Sequence, residues 1–218
     1  VSCLLWAGGF TGSDGRRFSD SIEDASQAIE LATTIGAPAL VLHSGGRGGH
    51  TLRHAHRLLE TALAELLPVA GTAGVRLALE PMAPASAIDW TVQTDLREAL
   101  ELVRRIDHPA LGLVLDTYHW AHLAELEALL PELIEYLALV HLADSRTSPG
   151  VEQQRCPLGC GRRPLSRVVF RLEELGYQGW YDIKLMGEEI EALDYQQLLA
   201  ESVDQVRQWR SAETVPEH

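Results

Sequence analysis

The sequence predicts an α/β fold, more specifically an incomplete (β/α)8 TIM barrel with about six βα units present. Short apolar runs with strand character alternate with longer stretches of helical spacing along the 218 residues. This alternation is typical of a parallel sheet, and the starts of the runs lie about 36 residues apart on average. Polar or ionisable residues also stand at the carboxyl end of nearly every run, which is where barrel enzymes assemble their active sites.

Six strands are predicted because each of these runs is apolar and is separated from the next by a helical stretch. An open six-stranded Rossmann-like sheet is the competing fold, but residues 8–12 lack the G-x-G-x-x-G spacing of its phosphate loop. The predicted strands cover Val1–Ala7, Ala39–His43, Val75–Pro81, Leu111–Thr117, Tyr136–Leu142 and Trp180–Leu185.

The stretches between the strands have apolar residues at helical spacing. Ser19 or Asp20 is the candidate cap of the first helix, and Gly36 with Pro38 ends it. Thr94 is the candidate cap of the third helix. Helices after the first are predicted around Leu52–Leu66, Leu96–Ile106, Leu126–Ile134, Leu165–Leu175 and Tyr195–Val206.

The length of the chain predicts that the barrel is incomplete. A complete barrel usually needs ~250 residues or more, so six units imply that two are absent. Because Val1 already lies in a strand-like run, the absent units are expected at the N-terminus. We predict one domain, residues 1–210, followed by a C-terminal tail, residues 211–218. The unpaired strand edges of an incomplete barrel favour association, so a homo-oligomer is expected.

Charge and cysteine content argue against several classes of partner. The 31 acidic and 18 basic residues give a net charge of −13, which repels phosphate backbones and argues against nucleic acid. No run reaches the ~18 apolar residues of a membrane span, so no membrane partner is expected. Three cysteines form no even disulfide framework, and a reducing, cytoplasmic location is expected.

Residues with catalytic or metal-binding side chains follow the apolar part of five predicted strands. A carboxylate placed directly after an apolar run is costly to bury unpaired, so a metal or catalytic cluster is predicted there. Glu80, Asp116 and His141 are the predicted metal ligands, because two carboxylates and an imidazole suit Mn²⁺, Mg²⁺, Co²⁺ or Zn²⁺. The full set is His43, Glu80, Asp116, His119, His141, Asp144 and Lys184.

Four motifs make the chain resemble the sugar phosphate isomerase/epimerase superfamily, the xylose isomerase-like TIM barrel group that also includes endonuclease IV. The resemblance runs from Val1 to about Trp209 and implies that Val1–Ala7 is the third strand of the family barrel, so that family strands 3 to 8 are present. The motifs are Leu-Ala-Leu-Glu-Pro, Val-Leu-Asp-Thr-Tyr-His, Val-His-Leu-Ala-Asp-Ser and Gly-Tyr-Gln-Gly-Trp-Tyr-Asp-Ile.

The resemblance implies one divalent metal held by a Glu, an Asp, a His and a final Glu, of which the first three match Glu80, Asp116 and His141. In the family's epimerases the two Glu ligands also exchange the substrate proton. His119 matches a position that contacts substrate, and Arg155 resembles an arginine that contacts sugar hydroxyls.

The position of the fourth ligand departs from the family pattern, because this chain has Lys184 where a glutamate is expected. At an effective dielectric of ~20, like charges ~4 Å apart repel by several kcal/mol. Three alternatives stay open. Lys184 pairs with Glu80 and Asp116 and fills the site, or the metal keeps three protein ligands while Lys184 turns away or acts as a neutral base. In the third, Glu188 or Glu189 supplies the ligand.

The predicted function is therefore proton-transfer isomerisation or epimerisation of a small sugar or keto-sugar at a divalent-metal site. Glu80, His119 and Lys184 are the predicted catalytic residues, and His43, His119 and Arg155 are predicted to bind substrate. The alternative is a catalytically silent family member in which Lys184 replaces the fourth metal ligand.

Three further signals in the sequence are weaker. Cys156 and Cys160 form a C-x₃-C pair without a partner pair, which is weak support for zinc. The histidines at positions 50, 54 and 56 are interpreted as a solvated helix end. The glycine-rich residues 45–49 are either a phosphate-binding loop or an ordinary turn.

An endonuclease is not favoured, because residues 152–155 lack the Asp-x-His that its zinc site needs.

Overall fold

A computed structural model describes residues 1–211 and contains strands alternating with helices, as predicted. The six strands form one sheet in the order β1-β2-β3-β4-β5-β6. The pairs β1–β2, β2–β3 and β3–β4 are parallel, with Gly8 opposite His43 and Leu79 opposite Leu113. The strands are β1 (Leu4–Gly8), β2 (Ala39–His43), β3 (Arg76–Leu79), β4 (Leu111–Asp116), β5 (Leu137–Leu142) and β6 (Trp180–Ile183).

Longer helices follow the strands, and short helical turns lie in some of the loops. A turn of 3₁₀ helix, Ile134–Tyr136, leads into β5. Among the described residues no helix is long and apolar enough to cross a membrane. The helices are α1 (Phe18–Ile35), α2 (Leu52–Ala73), α3 (Pro84–Ala87), α4 (Leu96–Ile106), α5 (Thr117–Trp120), α6 (Leu126–Leu133), α7 (Leu165–Glu174), α8 (Glu188–Glu191) and α9 (Tyr195–Ser211).

The sequence predicts the C-terminus of α1 correctly, but it does not predict the N-terminal cap residues of α1 and α4. Gly36 ends α1 with φ 70°, in the left-handed conformation that glycine adopts without steric cost. The caps at the N-termini differ from the prediction. Arg17 occupies the cap position of α1, and Asp95 rather than Thr94 accepts the first N–H groups of α4, from Arg97 and Glu98.

The described residues form two compact units, and the predicted single domain, residues 1–210, stays a prediction. The first unit comprises Val1–Leu115 with Tyr136–Leu139, and the second comprises Asp116–Glu135 with the residues from Val140 onward. Residues 212–218, most of the predicted tail, lie outside the described residues.

In the first unit, both faces of the central strands are buried, as expected for parallel strands covered by helices. Every residue of β2 is buried. Alternate residues along a strand point to opposite faces, and those on one face pack together from four neighbouring strands. Helix α1 packs against α2 and β1 on the outside. The shared cluster comprises Ala39, Val41, Ala78, Val114 and Leu139.

In the second unit, α7 packs against α6 and α9. Its helices bury one apolar face each, with Leu126, Leu130 and Leu133 on α6 and Val168 and Leu172 on α7. Strand β6 is less covered than the central strands, and Trp180 is 53% exposed. The folded part of this unit therefore depends on helix packing more than on its last strand.

Candidate active site at the strand ends

Five of the predicted site residues lie at the carboxyl ends of strands, whereas His119 lies on α5 and Arg155 in the loop after β5, and all of these residues are buried. His43 ends β2, Glu80 directly follows β3 and Asp116 ends β4. His141 is the last but one residue of β5, and Lys184 directly follows β6. The cost of burying ionisable groups without partners is high, so the partners of each group decide what this region can do.

In the first unit, His43 and Glu80 form a close pair. The imidazole Nε2 lies 2.5 Å from a carboxylate oxygen of Glu80, and the side chains are 4% and 0% exposed. The rings of Trp6 and Trp90 flank His43 at centroid distances of 5.3 and 5.6 Å. A buried carboxylate oriented by an imidazole is suited to accept a proton from a substrate carbon.

Gly8 is the residue that allows β1 to come so close to His43. Its φ is +144°, and a Cβ at this position would lie 1.7 Å from the carbonyl oxygen of His43.

The two tryptophans were missed by the sequence analysis. Trp6 lies on β1 and Trp90 in the loop after β3, and neither belongs to a periodic pattern that marks a site.

In the second unit, two cations hold the carboxylate of Asp116. Arg155 donates from Nη1 to one oxygen at 3.4 Å and from Nη2 to the other at 3.0 Å. Lys184 Nζ lies 3.3 Å from the second oxygen. The backbone N–H of Tyr118 also donates to the first oxygen, at 2.9 Å. Asp116 is thus an ion-pair partner within this unit.

Arg155 is itself fully enclosed, with 2% exposure. Besides Asp116 it donates to the carbonyl oxygen of Lys184 at 3.0 Å and to the side-chain oxygen of Gln153 at 3.2 Å. Its guanidinium lies over the ring of Tyr118, 4.7 Å from the centroid, a cation–π geometry. These contacts indicate that Arg155 positions its neighbours, in addition to the substrate contact that the sequence predicts for it.

Two histidines and a second carboxylate lie near Asp116. His141 Nδ1 is 3.9 Å from an oxygen of Asp116, and its Nε2 is 3.9 Å from an oxygen of Asp182. His119 Nε2 lies 4.0 Å from Asp116. The sequence analysis missed Asp182. The signal was available, because Asp182 stands two residues before Lys184 and therefore faces the same side of β6.

Two of the predicted metal ligands, Asp116 and His141, lie in this unit, and the other ring nitrogen of His141 faces Asp182. The environment does not fit a cation as it stands. The oxygen of Asp116 nearest to His141 already faces the guanidinium of Arg155 at 3.0 Å and the ammonium of Lys184 at 3.3 Å. A dication at that oxygen would meet two positive charges, each repelling it by several kcal/mol at ~4 Å and an effective dielectric of ~20.

Asp144 organises the long loop after β5. Its two oxygens accept backbone N–H groups from Ser145, Gly159, Gly161 and Arg163 at 2.8 to 3.2 Å. A buried carboxylate with four such donors is a structural anchor, and the loop it anchors carries Arg155.

Replacing Asp144 with asparagine is expected to lower the free energy of unfolding by about 1–3 kcal/mol, because an amide nitrogen cannot accept the N–H groups it would face. Urea denaturation measures this change. Asp204→Asn serves as the matched control, since Asp204 is 67% exposed on α9 and pairs with Arg207 one helical turn away. Equal stability of the Asp144 variant and the parent would contradict the anchoring role.

Cys156 and Cys160 lie in this loop as free thiols. Burial raises the pKa of the Cys156 thiol to about 11, and the neighbouring carboxylate of Asp144 adds to the shift. Because zinc binds the thiolate, burial that raises the pKa of this thiol disfavours zinc binding there. The structural interpretation of this cysteine pair is therefore the better supported one.

The histidine cluster and the glycine-rich loop have structural explanations in the first unit. The rings of His50 and His54 lie 4.8 Å apart, and Arg57 donates to His54 Nδ1 at 3.1 Å. A Cβ on Gly45 would lie 2.4 Å from the hydroxyl of Thr11, and one on Gly46 2.2 Å from a backbone oxygen of the α3 loop. Close packing of backbones requires glycine here without any ligand.

The family model described as xylose isomerase-like TIM barrel matches residues 1–209. The chain therefore belongs to this family, and the resemblance seen in the sequence is confirmed. The expectation of two missing N-terminal units is not borne out by the comparisons. The number of βα units and the family numbering of the strands stay predictions.

Two relatives illustrate the range of activities in the family. A probable endonuclease 4 of Mycoplasma mobile is 31% identical over 144 residues, which is 60% of this chain and 48% of the relative. An inosose isomerase of Halalkalibacterium halodurans is 25% identical over 217 residues, covering 96% of this chain and 73% of the relative. The chain spans about half the length of the endonuclease relatives that it matches.

Solved structures agree with the fold. Protein SMc04130 of Sinorhizobium meliloti has a TM-score of 0.84 and 26% identity over 94% of this chain and 77% of its own. The IolI protein with a bound zinc atom has a TM-score of 0.80 and 20% identity over 96% of this chain and 76% of its own. At that identity the second likeness concerns the fold alone.

Proposed function

We propose that this chain isomerises or epimerises a small sugar or keto-sugar by moving a proton next to its carbonyl group. The observation that carries the proposal is the buried pair of Glu80 and His43, which provides an oriented base at a strand end. The inosose isomerase relative, matched over nearly the whole chain, supports a polyhydroxylated carbonyl substrate.

Each residue has a proposed role in this reaction. Glu80 takes the proton from the carbon beside the carbonyl, and His43 holds its carboxylate in place. The ammonium of Lys184 stabilises the negative charge that develops on the carbonyl oxygen. His119 moves a proton between the two substrate oxygens. Arg155 and Asp116 hold Lys184 from within the second unit.

Metal is left out of this reaction because the surroundings of Asp116 do not fit it. The relatives' metal, for which the sequence predicts Glu80, Asp116 and His141, would have to displace Lys184 from Asp116. The bound zinc atom is a feature of the solved IolI structure and is not carried over to this chain. For this chain we expect Mn²⁺, Mg²⁺, Co²⁺ or Zn²⁺ to bind at this site only when Lys184 has been replaced.

The alternative is a silent family member that binds a sugar without changing it. The ion pair of Lys184 with Asp116 at 3.3 Å favours this second candidate, because it occupies a carboxylate that active relatives are predicted to give to metal. An endonuclease is not proposed. The matched endonuclease relatives share about half their length with this chain, whose net charge is −13.

Carbon–hydrogen exchange in D₂O distinguishes the two candidates. A panel of keto-sugars and keto-inositols is incubated with the protein in EDTA, and loss of the proton beside the carbonyl is followed by NMR. We expect exchange with the parent and a loss of about 100-fold or more in Glu80→Gln, as for removal of a general base. Glu101→Gln is the control, since Glu101 is 72% exposed on α4.

Two results would contradict the isomerase. No exchange above the buffer rate across the panel, with sugars still protecting the protein against heat, identifies the silent binding protein. Exchange that EDTA abolishes and added Mn²⁺ restores would show that metal does the work assigned to Lys184.

A further inference from the structure

A groove of about 740 Å³ runs between the N-terminal half of α2 and the length of α4, within the first unit. Its volume lies in the range of small-molecule sites. We call it the arginine groove and define it by the residues that matter for its chemistry: Arg53, His56 and Arg57 on α2, Gln93 before α4, and Arg97 and Glu98 on α4.

The charge of the arginine groove is opposite to that of the chain. Two of the glutamates that line it are already paired. Glu60 accepts from Arg105 at 2.9 and 3.1 Å, and Glu101 accepts from Arg104 at 3.3 Å. Once these pairs are set aside, three arginines face a single glutamate, Glu98, on a chain whose net charge is −13.

Buried polar atoms on the wall of the groove point to a ligand. Gln93 is only 2% exposed, and its side-chain nitrogen has no hydrogen-bond partner among the described residues. The buried Nε2 of His56 has none among them either. A buried donor without an acceptor is costly and uncommon in folded proteins. A ligand oxygen that reached the side-chain nitrogen of Gln93 would satisfy that donor.

We propose that the arginine groove binds a small molecule through a phosphate or pyrophosphate group. Guanidinium groups match phosphate oxygens in paired hydrogen bonds, which ammonium groups cannot form. The starts of α2 and α4 lie beside the groove, since Leu52 and Arg97 line it. Thr51 and Asp95 already accept N–H groups at these helix starts, so the arginines and the Gln93 amide carry the binding.

This site is independent of the proposed proton transfer. None of its residues is assigned to the reaction, so binding and catalysis can be measured separately. The phosphate ligand is therefore a second molecule or a regulator rather than the reacting sugar itself.

Calorimetric titration with inorganic pyrophosphate tests the proposal on the full chain. We expect saturable binding to the parent, weakened about tenfold or more in the double variant Arg53→Gln with Arg97→Gln. The control double variant Arg17→Gln with Arg207→Gln removes the same charge from exposed positions elsewhere and should bind as the parent does. Gln93→Leu should also weaken binding, because it removes the buried donor while keeping the volume.

Three results would overturn the inference. The parent could show no saturable binding, the groove and control variants could lose affinity equally, or binding could survive in the groove variant. The last result would place the anion elsewhere, for example at the glycine-rich residues 45–49. The proton-exchange assay should be unchanged in both double variants, so failure of this proposal leaves the proposed function standing.

Discussion

Replacing Arg155 with methionine is expected to lower the free energy of unfolding by about 3–5 kcal/mol, the cost of breaking a buried ion pair from one side. Arg155 and Asp116 are both 0% exposed in their side chains. Methionine fills much of the volume but leaves both oxygens of Asp116 without the guanidinium donors. The carbonyl oxygen of Lys184 and the side chain of Gln153 lose donors as well.

Chemical denaturation of the variant measures this loss, and two further proteins make the result specific. Arg171→Met removes an exposed pair with Glu174 and should cost no more than about 1 kcal/mol. Asp116→Asn combined with Arg155→Met should lose less stability than the sum of the two single losses, because both substitutions break the same ion pair. A single variant as stable as the parent, or losses that add in full, would show that this pair does not support the loop.

Strand positions could be predicted because parallel strands covered on both faces are continuous apolar runs. The runs at Ala39–His43 and Leu111–Thr117 match β2 and β4 closely. The prediction was poorer at β1 and β3, where only four of the seven predicted residues of each run are strand, because the apolar runs at Val1–Ala7 and Val75–Pro81 extend beyond the strands. The four-residue helices α3, α5 and α8 were not predicted, because one turn is too short to show a helical period.

The positions of the site residues could be predicted from the sequence, but the side chains that pair with them could not. A carboxylate after an apolar run is conspicuous, so Glu80 and Asp116 stand out in the sequence. Their partners are set by tertiary structure. Arg155 reaches Asp116 from an irregular loop 39 residues further along the chain, and no local pattern predicts such a contact. The same loop is shaped by Asp144, whose four N–H donors come from residues up to 19 positions away.

Lys184→Glu is expected to create a divalent-metal site where the parent has none that is measurable. Lys184 is the only lysine of the chain, against 17 arginines, so one substitution removes the sole ammonium side chain. Removing this ammonium from Asp116 and adding a carboxylate changes the local charge by two. At ~4 Å and an effective dielectric of ~20, each unit of charge changes the interaction with a dication by about 8 kcal/mol, so even a small part of this change gives about 100-fold tighter Mn²⁺ binding.

Calorimetric titration of metal-stripped protein with Mn²⁺ measures the affinity, with Lys184→Gln as the matched control. The glutamine removes the charge without adding an anionic ligand, so it should bind Mn²⁺ more weakly than the glutamate variant. The charge reversal Arg171→Glu on the exposed face of α7 should leave the parent's behaviour unchanged. If the parent itself binds Mn²⁺ tightly, Lys184 and Arg155 do not exclude metal from Asp116, and the metal-free reaction is wrong. If only the glutamate variant binds, the ion pair of Lys184 with Asp116 is what separates this chain from the metal-dependent pattern that the family resemblance implies.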